Sequence, residues 1–354
     1  MKNIKRLRRK IDKIDDDILG LLNDRAAVTL EIGKSKKKSL KPTFAPDRES
    51  QVYKRLLSSN KGLLPDDNIK AIYNEIMSGS LSLQSPPKIA FLGPEATFTH
   101  IAALRKFGRS VDYIESDSIL DVFTEVERER ADYGVVPIEN STEGAVNHTL
   151  DMFIDSDLKI CSESYLRIEH NLMSKGTKLS SIKKVFSHHQ VFAQCRKWLE
   201  ANLPHADLVP VASTTAAAKR SATYKNSAAI ASKLAAQENG LSILARSIED
   251  SSHNITRFLV IGAHEAEPVK DNKTSIVFSM KDKAGALHDV LSAFKRDKVN
   301  LTKIESRPSK RKAWKYYFFV DMQGHIKEKR IKRSLTLIKK HCNFFKVLGS
   351  YPAA

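Results

Sequence analysis

In this chain of 354 residues the side chains able to do chemistry fall into groups whose spacing can be read directly. Arg25 and Lys36 are eleven residues apart, which at 3.6 residues per turn puts both on one face of a helix. Ser80 and Gln84 share a face as an i, i+4 pair. With Arg8 and the Arg48-Glu49 pair they form a set of charges and neutral donors without a nucleophile. Such a set could hold a small anion, but from spacing alone solvated charges on a coiled coil are the simpler account. Arg8 precedes Arg25 by seventeen residues, about 25 Å at ~1.5 Å per residue, too far to share a small ligand with Lys36 in one chain. If Arg8 joins such a site, it comes from a second subunit.

A further group lies between residues 86 and 269. Polar residues cluster there at the ends of β-like runs: Glu139-Asn140-Ser141-Thr142, Ser187-His188, Ser213-Thr214-Thr215, and Asn254 with Thr256-Arg257. Open α/β sheets bind ligands at the carboxyl ends of their strands, and helices opening after Ser or Thr offer backbone N–H groups to anions. A small anionic ligand in a cleft follows. One such Ser or Thr is more often a plain N-cap, but four clusters in one segment weaken that account.

Positioning these groups falls to elements that the apolar pattern marks out. Ile4, Leu7, Ile11, Ile14, Ile18 and Leu21 alternate three and four apart, one long amphipathic helix that continues through Ile32. Pro42 and Pro46 end it, Pro46 opens a second helix through Leu57, and a third runs from around Pro65 to Leu83. Three helices with one very long member do not close a core alone, so pairing with another chain is expected. Residues 86–269 alternate β-like runs such as KIAFLG and TRFLVIG with helical ILDVFTEVERER and VFAQCRKWLEA, an α/β pattern. Residues 270–354 read βαββαβ, a ferredoxin-like α+β layout. Ser85-Pro86-Pro87 and the polar stretch around Pro268 mark the seams.

Composition removes whole classes. With 41% hydrophobic and 28% charged residues, and no apolar run near the ~18 residues of a membrane span, a soluble multidomain chain with no membrane partner is expected. The N-terminus lacks the apolar block of a signal peptide, which points to the cytoplasm. The nearest glycines, Gly134 and Gly144, are ten apart, so the dinucleotide fingerprint, the P-loop and the nucleophile elbow are excluded. The three cysteines are scattered, and the one close histidine pair, His188 and His189, diverges in any regular element, so neither a disulfide nor a metal is expected. Residues 1–85 carry 18 Lys and Arg against 11 Asp and Glu, residues 86–269 carry 20 against 23, and residues 270–354 carry 21 against 7. The basic ends leave open a nucleic-acid-binding regulator, through Lys310-Arg311-Lys312 and a basic helix at 327–340. Against it, Tyr316, Tyr317, Phe318 and Phe319 are consecutive and alternate between sheet faces, which makes no stacking platform. A solvated basic surface is the simpler account, and no nucleic acid is expected.

Taken in order, Arg8, Arg25, GKSK at 33–36, DRE at 47–49, Ser80 and Gln84 resemble the all-helical chorismate mutase domain over nearly all of residues 1–85. Some members have an acidic residue three before the Arg-Glu pair, where this chain has Ala45. The resemblance implies a dianion, chorismate, rearranged through a polarised pericyclic transition state by positioning and electrostatics. It assigns Arg8 of the partner subunit and Arg25 to the carboxylates, Lys36 and Gln84 to the ether oxygen, and Glu49 to the ring hydroxyl. Arg48 and Ser80 complete the polar shell.

GPEATFTH at 93–100, VVPIENSTEGAVNHTLD at 135–151, SHHQVFAQC at 187–195, ASTTAAA at 212–218 and HNITRF at 253–258 follow the signature of prephenate dehydratase. Ala96 stands where that family usually has Gly, and His189 where Pro is usual. The family fold is two α/β lobes with the site between them, like a type II periplasmic binding protein. The reaction expels the C4 hydroxyl of prephenate as water while carbon dioxide leaves, so a proton donor is needed at that hydroxyl. The resemblance points to Thr256 for it, with Glu139, Asn140, Ser187, Gln194, Ser213 and Thr214 as polar lining. Threonine is a poor acid at neutral pH, so Thr256 would orient or relay a proton, with Glu139 as a candidate companion. Arg257 is left between a substrate carboxylate and a structural ion pair.

GALH at 285–288 and ESRP at 305–308 resemble the phenylalanine-binding elements of an ACT regulatory domain, over residues 272–352. The effector contacts would be Gly285, Ala286, Leu287, Glu305, Ser306, Arg307 and Pro308. Together the resemblances imply three domains, 1–85, 86–269 and 270–354, in a bifunctional enzyme that takes chorismate through prephenate to phenylpyruvate without a cofactor. It would be a homodimer or homotetramer inhibited by phenylalanine, and deleting residues 270–354 should remove that inhibition. A preference for arogenate is the alternative within the enzyme class.

Overall fold

The computed structural model describes residues 2–39, 42–176, 178–281, 283–309 and 316–354, and the chain divides into two compact units. The first comprises residues 1–88 and 104–112. Its helices are α1 (Lys2–Lys38), α2 (Pro46–Ser59) and α3 (Asp66–Gln84), as the apolar spacing and the prolines require. Arg25, Thr29, Gly33 and Lys36 share the face of α1 that is least exposed, and Gly33 lets α3 approach: a Cβ there would stand 2.7 Å from Gln84 Cγ. Upstream on α1, Ile4, Leu7, Ile11, Ile14 and Ile18 are 48–58% exposed. The end of α4 (Phe98–Phe107) and the turn after it complete the unit. There Phe107 packs on Phe44 with ring centroids 4.8 Å apart, and the Ser110 N–H donates to Ser78 Oγ at 3.0 Å.

The second unit comprises residues 89–103 and 113–354. In chain order it holds β1 (Lys88–Leu92), β2 (Asp112–Ser116), α5 (Ile119–Glu127), β3 (Tyr133–Asn140), β4 (Gly144–Ala145), α6 (Asn147–Asp155) and β5 (Lys159–Arg167). Next come β6 (Asn171–Ser174), β7 (Lys184–Ser187), α7 (His189–Gln194), α8 (Arg196–Asn202), β8 (Asp207–Pro210), α9 (Thr214–Thr223), β9 (Ser227–Ala231), α10 (Lys233–Glu238) and β10 (Ser242–Ala245). The remainder is β11 (Ile255–Gly262), β12 (Asn272–Met280), α11 (Ala286–Arg296), β13 (Leu301–Pro308), β14 (Tyr316–Gln323), α12 (Lys329–His341) and β15 (Cys342–Pro352).

Two sheets make two α/β lobes: β2-β1-β3-β11-β5 with β4 beside β3, and β10-β6-β9-β7-β8. Strand β11 returns to the first lobe after the second is complete. The third sheet, β13-β14-β12-β15, is antiparallel and has the ferredoxin-like order. Both departures from the dehydratase signature are accommodated locally. Ala96 takes the left-handed backbone at φ 61, held by its N–H on His100 Nδ1 at 2.9 Å and by Ser232 Oγ on its carbonyl at 2.8 Å. His189 is the first residue of α7, a position that also suits proline.

The last segment shares its core with the first lobe. Val277, Phe319, Leu348 and Tyr351 are buried in one cluster with Ile138, Leu150, Phe153, Ile160, Leu259 and Ile261. Gly349 lies so close to β5 that a Cβ would meet the Ile160 carbonyl oxygen at 2.3 Å. A separate cluster of Val290, Phe294, Ile331 and Leu335 seats α11 and α12 on the third sheet. The Lys310-Arg311-Lys312 run lies outside the described residues. Among the described residues no helix is long and apolar enough to cross a membrane.

Candidate active sites

In the first unit Arg25 donates to the Ser80 hydroxyl, which donates in turn to the Ile76 carbonyl at 2.7 Å. Burial lowers the Arg25 pKa. Gln84 closes over Gly33 with Oε1 buried and without a hydrogen-bond partner among the described residues. Lys36 Nζ donates to the Thr43 carbonyl at 2.8 Å. Glu49 faces Lys106 Nζ at 2.6 Å, and that ammonium also stands 5.5 Å from the centre of the Phe44 ring. The facing sides of α1 and α3 thus gather Arg25, Ser80 and Gln84. Arg48 is exposed beside Gln51 at 3.5 Å, and Arg8 is exposed far along α1. Lys106 was not legible as a member of this group, because it belongs to the chain segment that follows.

In the second unit the ends of β3 and β11 meet α7. Asn140 Oδ1 accepts from the backbone N–H groups of Thr142 at 2.9 Å and Glu143 at 3.1 Å, which fixes its carboxamide. Its Nδ2 therefore donates to Thr256 Oγ1 and Asn254 Oδ1, each at 2.8 Å. Asn254 Nδ2 donates to Gln194 Oε1 at 3.1 Å, and Gln194 Nε2 donates to Glu143 Oε1 at 2.6 Å. Gln194 Oε1 being an acceptor, His170 Nε2 at 2.8 Å is the donor. Burial lowers the His170 pKa, which keeps the imidazole neutral at pH 7. The chain of amides leaves the Thr256 oxygen as an acceptor from Asn140, with its own proton directed elsewhere.

The strand register corrects part of the expected lining. Thr256 pairs with Asn140 and Arg257 with Glu139, so the second pair lies on the opposite face of the sheet. Glu139 is ion-paired there with Lys303 at 2.9 Å and does not accompany Thr256. Arg257 meets Glu163 at 2.8 Å and Asp321 at 2.5 Å, a structural cluster in place of a substrate contact. Ser187 is fully buried and donates to the Ile230 carbonyl at 2.8 Å, which takes its hydroxyl away from a ligand. Ser213 caps α9 by accepting from the Ala216 N–H at 3.0 Å, and Thr214 is the first residue of that helix. Asn254, His170 and Glu143 join the group instead. Asn254 already stood among the polar clusters of the sequence, and Glu143 was within reach of sequence reasoning, inside the same signature run.

In the last segment Gly285 holds φ +78 at the start of α11, and a Cβ on it would meet nothing within 4 Å. Ala286 and Leu287 follow as the first two residues of that helix. Strand β13 is a sheet edge, with Ser306 and Pro308 more exposed than Glu305 and Arg307. Arg307 reaches Asp151 of α6 at 3.4 Å.

Comparison with known families accounts for all three regions. Residues 7–85 match chorismate mutase type II, residues 89–266 match prephenate dehydratase, and residues 274–336 match the ACT domain. Fold and sites therefore define a chain that joins a helical mutase, a two-lobed dehydratase and an ACT domain. A bifunctional chorismate mutase/prephenate dehydratase of Aquifex aeolicus is 48% identical over 358 residues, covering 100% of this chain and 99% of that protein. One of Pseudomonas aeruginosa is 46% identical over 357 residues, covering 99% and 98%. The crystal structure of a prephenate dehydratase from Arthrobacter aurescens in complex with L-phenylalanine superimposes with a TM-score of 0.70 and 35% identity, over 75% of this chain and 90% of that one. The chain belongs to the bifunctional chorismate mutase/prephenate dehydratase family.

Proposed function

We propose that residues 1–85 rearrange chorismate to prephenate, that residues 86–269 convert prephenate to phenylpyruvate, and that residues 270–354 bind phenylalanine as a feedback inhibitor. In the mutase step Arg25 holds a substrate carboxylate, Lys36 and Gln84 meet the ether oxygen as its bond stretches, and Glu49 accepts from the ring hydroxyl. Ser80 and Arg48 complete the shell. The exposed apolar face of α1 covers that of a second copy, which delivers Arg8 of the partner subunit. In the dehydratase step the carboxylate carbon leaves as carbon dioxide, and its bonding pair enters the ring. The C4 hydroxyl departs with the C–O pair and takes one proton from solvent through Thr256. The observation that carries this reading is the Asn140 carboxamide, fixed by two backbone donors so that Thr256 accepts from it and its own proton is not committed to Asn140. The chain works in the cytoplasm. Thr256→Val keeps the side chain's shape and removes that donor, so kcat for prephenate should fall by about 10² or more, the scale of a positioned proton-transfer partner. An unchanged kcat would remove Thr256 from the reaction.

A further inference from the structure

The chain crosses between the two lobes twice, at residues 168–170, between β5 and β6, and at residues 246–254, between β10 and β11. The crossings are bound to each other. The Ile168 N–H donates to the Asn254 carbonyl at 2.8 Å, and the Ile248 N–H donates to the His170 carbonyl at 2.9 Å. The His170 N–H donates in turn to Glu249 Oε2 at 2.9 Å, so the second crossing clamps its backbone on both sides. The Phe98 ring, edge-on with centroids 5.5 Å apart, backs the imidazole. His170 is 2% exposed, and with its Nε2–H given to Gln194 its Nδ1 is buried without a hydrogen-bond partner among the described residues. A second ring proton would find no acceptor there, and burial disfavours the imidazolium, so the ring stays neutral with its proton on Nε2.

Gln194 stands on α7 beside the second sheet, whereas Asn140 and Thr256 stand on strands of the first. Its Oε1 accepts from His170 and from Asn254, each rooted in a crossing, which fills both lone pairs of that oxygen. Its Nε2 gives one proton to Glu143 and keeps the other uncommitted among the described residues. The carboxamide cannot turn over, because its oxygen would then face the Glu143 carboxylate and its N–H groups would face two donors. We propose that His170 is a positioning residue for dehydration: from the crossing between the lobes its Nε2–H holds the Gln194 carboxamide, which presents its free N–H to prephenate alongside the Thr256 hydroxyl. His170 acts through Gln194 and touches no substrate. The inference rests on the reading of residues 86–269 as the dehydratase.

The test uses the full chain and a matched pair of carboxamides. His170→Gln can place an N–H where Nε2 stood, whereas the shorter side chain of His170→Asn places it near Nδ1, out of reach of Gln194. Both bury a carboxamide at one position, so a merely structural role would move them alike. In His170→Asn, kcat for prephenate should fall about tenfold, the factor one misplaced hydrogen bond is worth, with KM and chorismate turnover within about twofold of the parent. His170→Gln should recover kcat to within about threefold of the parent. Gln194→Met, which removes the contact from the other side, should lose at least as much as His170→Asn, and in that background His170→Asn should cost less than about twofold more, because both changes act on one contact. Equal kcat in the two His170 variants at similar Tm would overturn the proposal, as would an unchanged kcat in Gln194→Met or a full tenfold further loss in that background. A parent chain that leaves prephenate unconverted would instead overturn the dehydratase reading, and the inference with it.

Discussion

Removing residues 270–354 should sharply destabilise the first lobe of the dehydratase. Val277, Phe319, Leu348 and Tyr351 are each at most 4% exposed and lie in the cluster that also contains Ile138, Phe153 and Leu259 of the first lobe. Burying a large apolar side chain contributes about 1.5–3 kcal/mol, so deleting these four forfeits about 6–12 kcal/mol and uncovers what they packed against. Arg257 and Glu163, 5% and 3% exposed, would lose Asp321, Tyr351 and Lys273. Breaking a buried pair costs about 3–5 kcal/mol more. The total is comparable to the ~5–15 kcal/mol that holds a whole domain together. Residues 1–269 should therefore give a first lobe that binds a hydrophobic dye and unfolds well below the parent. The assay is calorimetry beside dye binding on the truncated and full chains. A truncated chain that unfolds within a few degrees of the parent and binds no more dye would refute the reasoning.

Further outcomes are open to direct measurement. Arg8→Ala and Lys36→Ala proteins, each inactive toward chorismate, should regain part of that activity when unfolded and refolded together, since a mixed dimer carries one intact site; no recovery in a verified heterodimer would place Arg8 outside the site. Gly285→Val forces a branched side chain into the left-handed region that Gly285 occupies at φ +78. It should cost about 1–2 kcal/mol locally and weaken inhibition by phenylalanine, read by calorimetry and by inhibition curves, while uninhibited turnover stays near normal. Burial pushes the Cys161 thiol up to about 12 and Cys342 up to about 11, so both stay protonated at neutral pH. A thiol reagent should label them rapidly after unfolding and slowly before it; rapid labelling of the native protein would contradict their placement.

The helices and the βαββαβ order were open to sequence reasoning because each rests on a local period. The three-and-four spacing of Ile4 to Leu21 needs no partner to be seen, and Pro46 marks α2 within its own turn. Facing was harder, and partly through neglect of an available rule. Glu139 and Asn140 are consecutive in a strand, as are Thr256 and Arg257, so alternation alone forbids all four from lining one cleft. Which pair faces the cleft depends on where the third sheet packs, and that is a long-range fact. Ser187 misled for a related reason: a strand-end serine reads as a ligand contact until its strand proves central, between β8 and β9. Sharing of one core between the first lobe and residues 270–354 left no mark in composition, because the polar linker around Pro268 looks like any domain seam.

The most direct measurement supplies chorismate alone to the parent chain, Lys36→Ala and Thr256→Val, and follows chorismate, prephenate and phenylpyruvate together over time. The parent should pass chorismate through prephenate to phenylpyruvate. Thr256→Val should accumulate prephenate, and Lys36→Ala should leave chorismate untouched yet still convert added prephenate, because the two sites lie in different compact units. Phenylpyruvate formed at the parent rate by Thr256→Val, or equal loss of both conversions in a folded Lys36→Ala, would contradict two separate sites acting in series.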